Sequence, residues 1–340
     1  MKLMSNTYST YTEFFDQKKD IRTLIFAGKG GLGKTTLSAA TSIHFSNERI
    51  TKTLVFSTDP QASLSDVFEK DVFGKGEIKL ADNLYVTEID ADREIELYTQ
   101  SVRQKIFDLY QLEEIPEEIE EYIESAKAEP AMHESATYDA MVSLVSRGDY
   151  KLYIFDMPPF GHGVRFVSTA DVLDNWIHKI TDMREKSEEY EEVAAKFTGK
   201  TKQDLAEDAI MGELTEIRDR LTFFSSMLKN EDQTGFFMIL VPEKMAILDT
   251  ERAITMFEQF GISISGIIVN QVYPPELLED EDLSDFLKHK IEMQQTHLET
   301  IYKRFGDRVL AVIPMYDREP KGIELLSKVA KDLFMWEKPD

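Results

Sequence analysis

A glycine-rich loop near the start of the chain holds the residues best suited to phosphate chemistry. The loop consists of Gly28, Lys29, Gly30, Gly31, Leu32, Gly33, Lys34, Thr35 and Thr36. Its spacing fits the pattern G-x-x-x-x-G-K-[ST], in which backbone N–H groups at a helix N-terminus surround phosphates. In that pattern Lys34 meets the β- and γ-phosphates, and the Thr35 hydroxyl binds magnesium. The glycines also fit the dinucleotide pattern G-x-G-x-x-G, but only the first pattern gives Lys34 and Thr35 a purpose. We therefore predict a nucleoside triphosphate site.

Two aspartates lie where apolar runs end, downstream of the loop. Asp59 closely follows the run 53–56, and Asp156 directly follows the run 152–155. Open α/β sheets bind their ligands at the carboxyl ends of strands. We therefore predict that Asp59 polarises a water molecule beside the phosphates, and that Asp156 holds magnesium directly or through water.

Short apolar runs bounded by turn residues recur along the chain and are predicted to be strands. They are rich in β-branched and aromatic residues, lack strict alternation and are separated by helix-length segments, which is typical of a parallel sheet buried on both faces. The runs are 23–27, 53–56, 84–89, 152–155, 236–241, 267–269 and 309–313. We predict an α/β fold with a doubly wound, mainly parallel sheet.

Two spacers between these runs are too long for simple crossover connections. Both are helical in composition, and prolines interrupt the first. We predict that residues 92–144 and 171–234 form an inserted helical subdomain. The remaining segments are 20–91, 145–170 and 235–340 for the sheet domain, and 1–19 for an N-terminal extension.

An apolar stripe in the second spacer has two interpretations. Helical spacing puts four residues on one face, with Met227 beside it: Ile217, Leu221, Phe224 and Leu228. The stripe could be the packed core between helices. It could instead be an adaptable surface that binds a hydrophobic client, a role for which flexible methionines are suited.

Composition narrows the classes of partner. The 340 residues carry 63 acidic and 39 basic side chains, a net charge of -24, so nucleic acid or an anionic membrane surface would be repelled. The longest apolar stretch is far shorter than the roughly 20 residues of a spanning helix, and the N-terminus lacks a secretory apolar core. With no cysteine, thiolate metal sites are excluded. We expect a cytoplasmic protein that binds no nucleic acid and does not insert stably into membranes.

The extra Lys29 gives the loop the sequence Lys-Gly-Gly-x-Gly-Lys-Thr, the deviant Walker A motif. From Arg22 to about Leu326 the chain resembles the arsenical pump-driving ATPases and the ATPases of the guided-entry (GET) pathway, which target tail-anchored proteins. The resemblance implies a P-loop NTPase fold and magnesium-dependent ATP hydrolysis. It also implies a homodimer with two ATP molecules, in which Lys29 acts catalytically on the partner's nucleotide.

The segment around Asp59 resembles switch I of that family. Asp59, Pro60 and Ser63 match it, and the resemblance implies that the aspartate orients or activates the attacking water. The relatives often continue with Pro-Ala-His, whereas Gln61 and Ala62 follow the proline here. The resemblance therefore extends to the aspartate but not to every contact of the switch.

The segment that begins at Asp156 resembles switch II. The matching residues are Asp156, Pro159, Gly161, His162 and Arg165. Two threonines and an alanine of the family are replaced here by Met157, Phe160 and Pro158. A step that depends on a hydroxyl group is therefore not implied. Taken alone, His162 is as readily a structural loop residue as a functional one.

Three distal segments complete the resemblance. The family's Pro-Glu block corresponds to Pro242-Glu243, which implies that Glu243 contacts nucleotide across the dimer. Asn270 ends another predicted strand, and its amide offers a donor and an acceptor to an adenine edge. A loop that closes over adenine is implied for Pro314, Met315, Tyr316, Asp317, Arg318, Glu319, Pro320 and Lys321.

Three functions compete within this resemblance. The favoured one is a homodimeric ATPase switch that binds hydrophobic client segments, such as tail-anchored membrane proteins, without the zinc clasp that cysteines form in eukaryotic targeting ATPases. The first alternative is the energising subunit of an anion or metalloid transporter, although arsenite binding through cysteine is excluded. The second alternative is a positioning ATPase of the septum-site or partition type, against which the two long helical spacers argue.

Overall fold

A single sheet organises the larger part of the molecule. The computed structural model describes residues 8–59, 61–110, 115–127, 130–158, 219–220 and 222–338. The strands within them are β1 (Thr23–Gly28), β2 (Thr53–Ser57), β3 (Ile78–Ala81), β4 (Leu84–Glu88), β5 (Leu152–Asp156), β6 (Thr234–Leu240), β7 (Gly266–Val272) and β8 (Val309–Pro314). Their order is β3-β4-β2-β5-β1-β6-β7-β8, and all neighbours are parallel except β3 and β4.

This sheet confirms the predicted α/β fold with a mainly parallel sheet. The apolar runs found in the sequence are strands because most of their residues are buried, as two-sided packing requires. Edge strand β3 is absent from the sequence prediction because it is short and its residues are half-buried or exposed. An antiparallel edge of this kind is common on otherwise parallel sheets.

Nine helices of more than five residues begin and end within the described ranges. They are α1 (Tyr11–Gln17), α2 (Lys34–Asn47), α3 (Ser63–Phe68), α4 (Ala91–Tyr110), α5 (Glu117–Lys127), α6 (Pro130–Ser146), α7 (Lys244–Gln259), α8 (Asp285–Phe305) and α9 (Gly322–Phe334). Residues 222–229 are also helical. None of the helices in this part of the chain is long and apolar enough to cross a bilayer.

The chain divides into a sheet unit and a helical unit. The described residues of the sheet unit are 8–59, 61–90, 148–158 and 229–338, and those of the helical unit are 91–110, 115–127, 130–147, 219–220 and 222–228. Described residues from both long spacers belong to the helical unit.

The first helix belongs to the core of the sheet unit, which corrects the prediction of a separate extension over residues 1–19. Tyr11, Phe14 and Phe15 of α1 are buried. The Tyr11 ring meets Phe237 of β6 at 4.8 Å and Phe334 of α9 at 5.0 Å between centroids, both edge to face. Aromatic pairs in this geometry stabilise beyond the area that they bury. The sequence conceals this role because a seven-residue helix carries too little periodicity to show which face is buried.

Ion pairs link helices α4 and α5 of the helical unit. Arg103 of α4 forms ion pairs with Glu120 and Glu124 of α5, at 2.5 and 2.6 Å. Lys127 pairs with Glu96 at 2.8 Å. These contacts join α4 to α5 along their exposed sides.

The client-surface prediction is wrong for two of its five residues in this conformation. Phe224 and Leu228 are 1% and 4% exposed, and the Phe224 ring packs edge to face on Tyr138 of α6 with centroids 5.1 Å apart. Met227 is half-buried, and Ile217 and Leu221 lie outside the described residues. The described part of the stripe is therefore core, the alternative that helix packing favoured.

Candidate functional site

The glycine-rich loop joins the buried end of β1 to the first turn of α2. Gly33 precedes Lys34 with φ of 90°, a backbone conformation that side chains rarely adopt, and a Cβ there would lie 2.2 Å from Asn270 Nδ2. At Gly28 a Cβ would lie 2.7 Å from the Ile239 carbonyl oxygen. The loop geometry therefore requires glycine at both positions, and it leaves backbone N–H groups at a helix N-terminus, where anions bind.

Lys34 lies against this loop and is almost fully enclosed. The side chain is 7% exposed, and its Nζ donates to the Lys29 carbonyl oxygen at 3.1 Å. Burial lowers the pKa of the Lys34 ammonium, and the nearby carboxylates of Asp156 and Asp59 oppose that shift. The Lys34 ammonium is therefore held beside the loop, where it can form an ion pair with a bound phosphate.

Thr35 and Asp156 meet beneath the loop because β5 lies next to β1. The Thr35 hydroxyl donates to Asp156 Oδ2 at 2.6 Å. Asp156 is 2% exposed, and burial raises its pKa to about 7 against the opposing effects of Thr35 and Lys34. Its second oxygen, Oδ1, is buried with no hydrogen-bond partner among the described residues. A hydroxyl beside an unsatisfied carboxylate oxygen is a donor set that fits magnesium, which prefers oxygen ligands.

Asp59 follows β2, and β5 lies between β2 and β1 in the sheet. Its backbone N–H donates to Ser57 Oγ at 3.1 Å, and its Oδ1 accepts from the Gln61 N–H at 3.0 Å. Thr58 Oγ1 and Ser63 Oγ are buried without a hydrogen-bond partner in the described parts of the chain. The segment therefore offers oxygen atoms with unused bonding capacity next to Asp59. Pro60 lies outside the described residues.

Glu88 is a buried acid of this edge that the sequence analysis does not single out. It ends β4, is 1% exposed, and accepts hydrogen bonds from the backbone N–H groups of Leu64 and Ser65 at 2.6 and 3.1 Å. Burial raises its pKa, and these bonds oppose the shift. The signal was available, because Glu88 is the one acid within the apolar run 84–89 and lies near its carboxyl end, where parallel sheets bind their ligands.

Lys29 points away from the loop that Lys34 occupies. Its Nζ lies 3.4 Å from Asp249 Oδ2 on α7, and 54% of the side chain is exposed. The two lysines of the motif thus have different surroundings within one chain, one enclosed and one accessible from outside.

Asn270 of β7 forms a hydrogen bond to the glycine-rich loop, a contact that the sequence did not predict. Its Nδ2 donates to the Leu32 carbonyl oxygen at 2.9 Å, and the residue is buried. The neighbouring Gln271 has a positive φ of 58°, and its carbonyl oxygen accepts from Gln294 Nε2 of α8 at 3.0 Å. One N–H of the Asn270 amide is therefore engaged by the loop, which leaves its second N–H and the amide oxygen for an adenine edge.

The loop after β8 is attached to the sheet unit by Met315 and Tyr316. The Met315 N–H donates to the Val272 carbonyl oxygen at 2.8 Å. The Tyr316 hydroxyl donates to Asp332 of α9 at 2.6 Å, and its ring packs on the core. The Tyr316 hydroxyl is therefore bonded within the sheet unit, and the closure of the loop over adenine stays a prediction. The rest of the predicted loop is exposed or half-buried: Pro314, Asp317, Arg318, Glu319, Pro320 and Lys321.

Glu243 and the switch II residues complete the set of predicted site residues. Glu243 is exposed at the N-cap position of α7. The switch II residues beyond Pro158 lie outside the described residues: Pro159, Gly161, His162 and Arg165.

Comparisons with known proteins agree with this arrangement. A family model described as anion-transporting ATPase matches residues 21–335. The chain is 33% identical over 318 residues to a protein of Aquifex aeolicus (strain VF5) named arsenical pump-driving ATPase 2, covering 92% of this chain and 99% of the relative. It is 28% identical to ATPase GET3A of Arabidopsis thaliana, covering 94% and 85% of the two chains. It is also 28% identical to ATPase get3 of Neurospora crassa, covering 95% and 93%.

These matches confirm that the protein hydrolyses ATP, as the loop sequence predicts. Nearly the whole chain takes part in the match, so the sheet unit and the helical unit are both included. The chain is an ATPase that belongs to the anion-transporting ATPase family.

Proposed function

We propose that this ATPase is a homodimeric switch of the cytoplasm that binds hydrophobic client segments and targets them, with tail-anchored membrane proteins as the client class. One observation carries the proposal: Lys34, Thr35 and Asp156 converge beneath the loop, while Lys29 of the same loop is exposed and turned to Asp249. In this proposal Lys34 serves the nucleotide of its own chain, and the half-exposed Lys29 leaves Asp249 to serve the nucleotide of a second chain.

The phosphates of ATP bind in the loop. Lys34 neutralises charge on the β- and γ-phosphates, and backbone N–H groups at the start of α2 donate to them. Thr35 and Asp156 hold magnesium, and the buried, unsatisfied Asp156 Oδ1 supports this assignment. When bound, the metal neutralises charge that develops on the phosphates.

Asp59 is the residue that we assign to the attacking water. It orients the water or accepts its proton while the water oxygen bonds to the γ-phosphorus and ADP leaves. Its backbone N–H donates to Ser57 Oγ and its Oδ1 accepts from the Gln61 N–H, and these bonds fix it at the end of β2, next to the strand that carries Asp156.

The base of the nucleotide lies near β7 and β8 in this proposal. The Asn270 amide oxygen accepts from the adenine edge, while one N–H of the same amide stays bonded to the Leu32 carbonyl oxygen. The exposed residues of the loop 314–321 close over the ring, and Glu243 contacts the nucleotide of the partner.

The client contacts need revision because Phe224 and Leu228 are buried. In the helical unit the large apolar side chains that are exposed among the described residues are Leu97, Tyr98, Ile119 and Phe223. We assign these four to the client surface in place of the buried pair. The similarity to ATPases named GET3 supports this class of client.

The hydrolysis step is tested with Asp59→Asn. Turnover should fall by at least about a hundredfold, the scale of lost proton-transfer or water-positioning help, while ATP affinity stays nearly constant. Asp66→Asn is the matched control, since Asp66 is an exposed acid on the adjoining helix. Equal turnover in wild type and Asp59→Asn would remove Asp59 from this role.

The homodimer is tested by mixing inactive chains. Lys29→Ala chains combined with Asp59→Asn chains give heterodimers in which an intact Lys29 and an intact Asp59 lie on opposite subunits. Activity should return at one of the two sites if Lys29 serves the partner's nucleotide. No recovery in heterodimers that demonstrably form would instead support action within one chain.

Client binding is tested by capture of a hydrophobic tail-anchor peptide in the presence of a non-hydrolysable ATP analogue. The double variant Leu97→Asp with Tyr98→Asp should lose capture and keep basal hydrolysis. Met335→Asp is the control, because Met335 is an exposed apolar residue of the sheet unit. Unchanged capture by the double variant would exclude these two residues from the surface.

A second candidate is the energising subunit of an anion transporter, which the similarity to arsenical pump-driving ATPases favours. Co-purification of a nucleotide-trapped complex from native cells separates the two. Recovery of hydrophobic C-terminal tails supports targeting, and recovery of a multispan transporter supports the alternative.

A further inference from the structure

The short helix after Asp59 has no cap of its own. Helix α3 begins after Ala62, whose side chain cannot accept a hydrogen bond from the first turn. Free N–H groups at a helix start usually bond to a Ser, Thr, Asp or Asn at that position. Here the N–H groups of Leu64 and Ser65 donate instead to the two carboxylate oxygens of Glu88, and the Ser65 hydroxyl donates to Oε2 at 2.5 Å.

Glu88 is itself held firmly in the sheet. It ends β4 directly opposite Ser57, the last residue of β2, and the next N–H, that of Ile89, donates to the Ser57 carbonyl oxygen at 3.0 Å. A buried carboxylate is unfavourable unless hydrogen bonds compensate it, and here three donors do so. The negative charge also lies at the N-terminus of α3, where the helix dipole favours it.

These contacts fix the Asp59 segment at both of its ends. At one end the Asp59 N–H donates to Ser57 Oγ, and Ser57 pairs with Glu88 across the sheet. At the other end Glu88 binds the first turn of α3. Only residues 58–62 lie between the two attachments, so the position of α3 constrains the position of Asp59.

We propose that Glu88 is a positioning residue that sets the place of Asp59 by capping α3 from a different strand. The inference depends on the proposed role of Asp59 in activating water. Glu88 bonds to the switch segment and has no assigned contact with phosphate or metal. The Glu88 charge acts on Asp156 only through space, so we expect the loss of Glu88 to affect the hydrolytic step much more than the binding of ATP.

The central variant is Glu88→Gln, which keeps the shape of the side chain and loses its charge. The amide presents one oxygen to one N–H group and an NH₂ group to the other, so the cap is weakened and not removed. We expect kcat to fall on the order of tenfold, while the dissociation constant of a fluorescent ATP analogue changes by less than about twofold. Asp66→Asn, an exposed acid on the same helix, should leave both values unchanged.

A double-mutant cycle with Asp59→Asn separates positioning from an independent effect. If Glu88 acts through Asp59, Glu88→Gln should cause no further loss of kcat in the Asp59→Asn background. A full additional tenfold loss there would overturn the proposal. So would an unchanged kcat in folded Glu88→Gln, or a weakened ATP affinity at constant kcat. If Asp59→Asn itself keeps full turnover, it is the proposed role of Asp59 that fails.

A milder variant guards against loss of folding. Ser65→Ala removes one of the three bonds to Glu88 and leaves both backbone bonds to Glu88 in place. It also removes the bond that the Val72 N–H donates to Ser65 Oγ at 3.0 Å, so the melting temperature of this variant is measured with its kcat. We expect kcat to fall by about two- to threefold with constant ATP affinity, since one of the three hydrogen bonds to Glu88 is lost. A normal kcat in this variant, with a normal melting temperature, would contradict the proposed cap.

Discussion

The sheet unit and the helical unit bury opposite kinds of side chain. We call the carboxyl ends of β1, β2, β4 and β5, with the first turn of α2, the phosphate edge of the sheet unit. At the phosphate edge an ammonium and two carboxylates are buried, those of Lys34, Asp156 and Glu88. In the helical unit the ion pairs of Arg103 lie near the surface, and aromatic groups such as Phe224 are enclosed. The first region keeps polar groups away from water, and the second follows the ordinary division between core and surface.

The difference reflects what each region is built to do. Burying a charge is unfavourable unless hydrogen bonds or an opposite charge compensate it, so a cluster of buried charges lowers stability in return for chemistry. Burial of these charged groups raises the pKa of Asp156 and lowers the pKa of Lys34, because it disfavours the ionised form of each. Around Arg103 the ion pairs contribute little to stability, and packing carries the fold.

The largest expected effect tests the packed core of the helical unit. Phe224→Ala should reduce the free energy of unfolding by about 3–5 kcal/mol, because it leaves a cavity beside Tyr138. Phe223, its neighbour in sequence, is 42% exposed, so Phe223→Ala should cost about 0.5 kcal/mol or less. Thermal unfolding and limited proteolysis of the full chain measure both. Equal losses in the two variants would mean that the burial difference does not exist in solution.

The next effect tests the buried cation of the phosphate edge. Lys34→Ala should reduce kcat/KM at least about a hundredfold, because transition-state charge loses its principal cation. ATP affinity should fall with turnover, in contrast to Asp59→Asn. Stability without nucleotide should not fall in proportion, since the buried ammonium is poorly solvated. Lys70→Ala, at an exposed lysine, is the control. Normal ATP affinity in Lys34→Ala would contradict the assignment.

A smaller effect is expected at the surface ion pairs of the helical unit. Arg103→Ala should reduce the free energy of unfolding by about 1 kcal/mol or less, because the partner carboxylates are partly exposed. The loss should shrink further in molar salt, which screens charges within a few ångströms. Unfolding in urea at low and high salt measures this. A loss that is large and insensitive to salt would show that the pair behaves like the buried charges of the phosphate edge.

The smallest effect at neutral pH concerns a half-buried histidine away from the site, because its contribution appears only in acidic solution. His44 stacks on Phe334, and burial, with a smaller contribution from Arg49, lowers its pKa from 6.5 to about 4. Between these values the unfolded chain binds a proton that the folded chain does not, so stability is lost as pH falls from 6.5 towards 4. His44→Gln should reduce the dependence of stability on pH between 6.5 and 4. Above pH 7 the dependence of stability on pH should be the same in the variant and the wild type. The melting temperature as a function of pH tests it, and identical slopes would exclude the histidine as a cause.

The sequence by itself determined the features that depend on neighbouring residues. The loop from Gly28 to Thr35 could be recognised because its glycines, lysine and threonine form one contiguous motif, and the following helix supplies the anion-binding geometry. The parallel sheet could be recognised because strands buried on both faces are continuous apolar runs. The approach of Asp156 to Thr35 followed from these two facts, since the carboxyl ends of parallel strands share one edge of a sheet.

Only the tertiary structure decided which partner each side chain has. Glu88 and α3 meet because β4 lies beside β2, and the Asn270 nitrogen is engaged because β7 brings it against Leu32. Phe223 and Phe224 are equally apolar, yet packing on α6 buries only one of them. Periodicity fixes which residues share a face, but burial of that face depends on segments far away in the chain, and a local pattern contains no information about them.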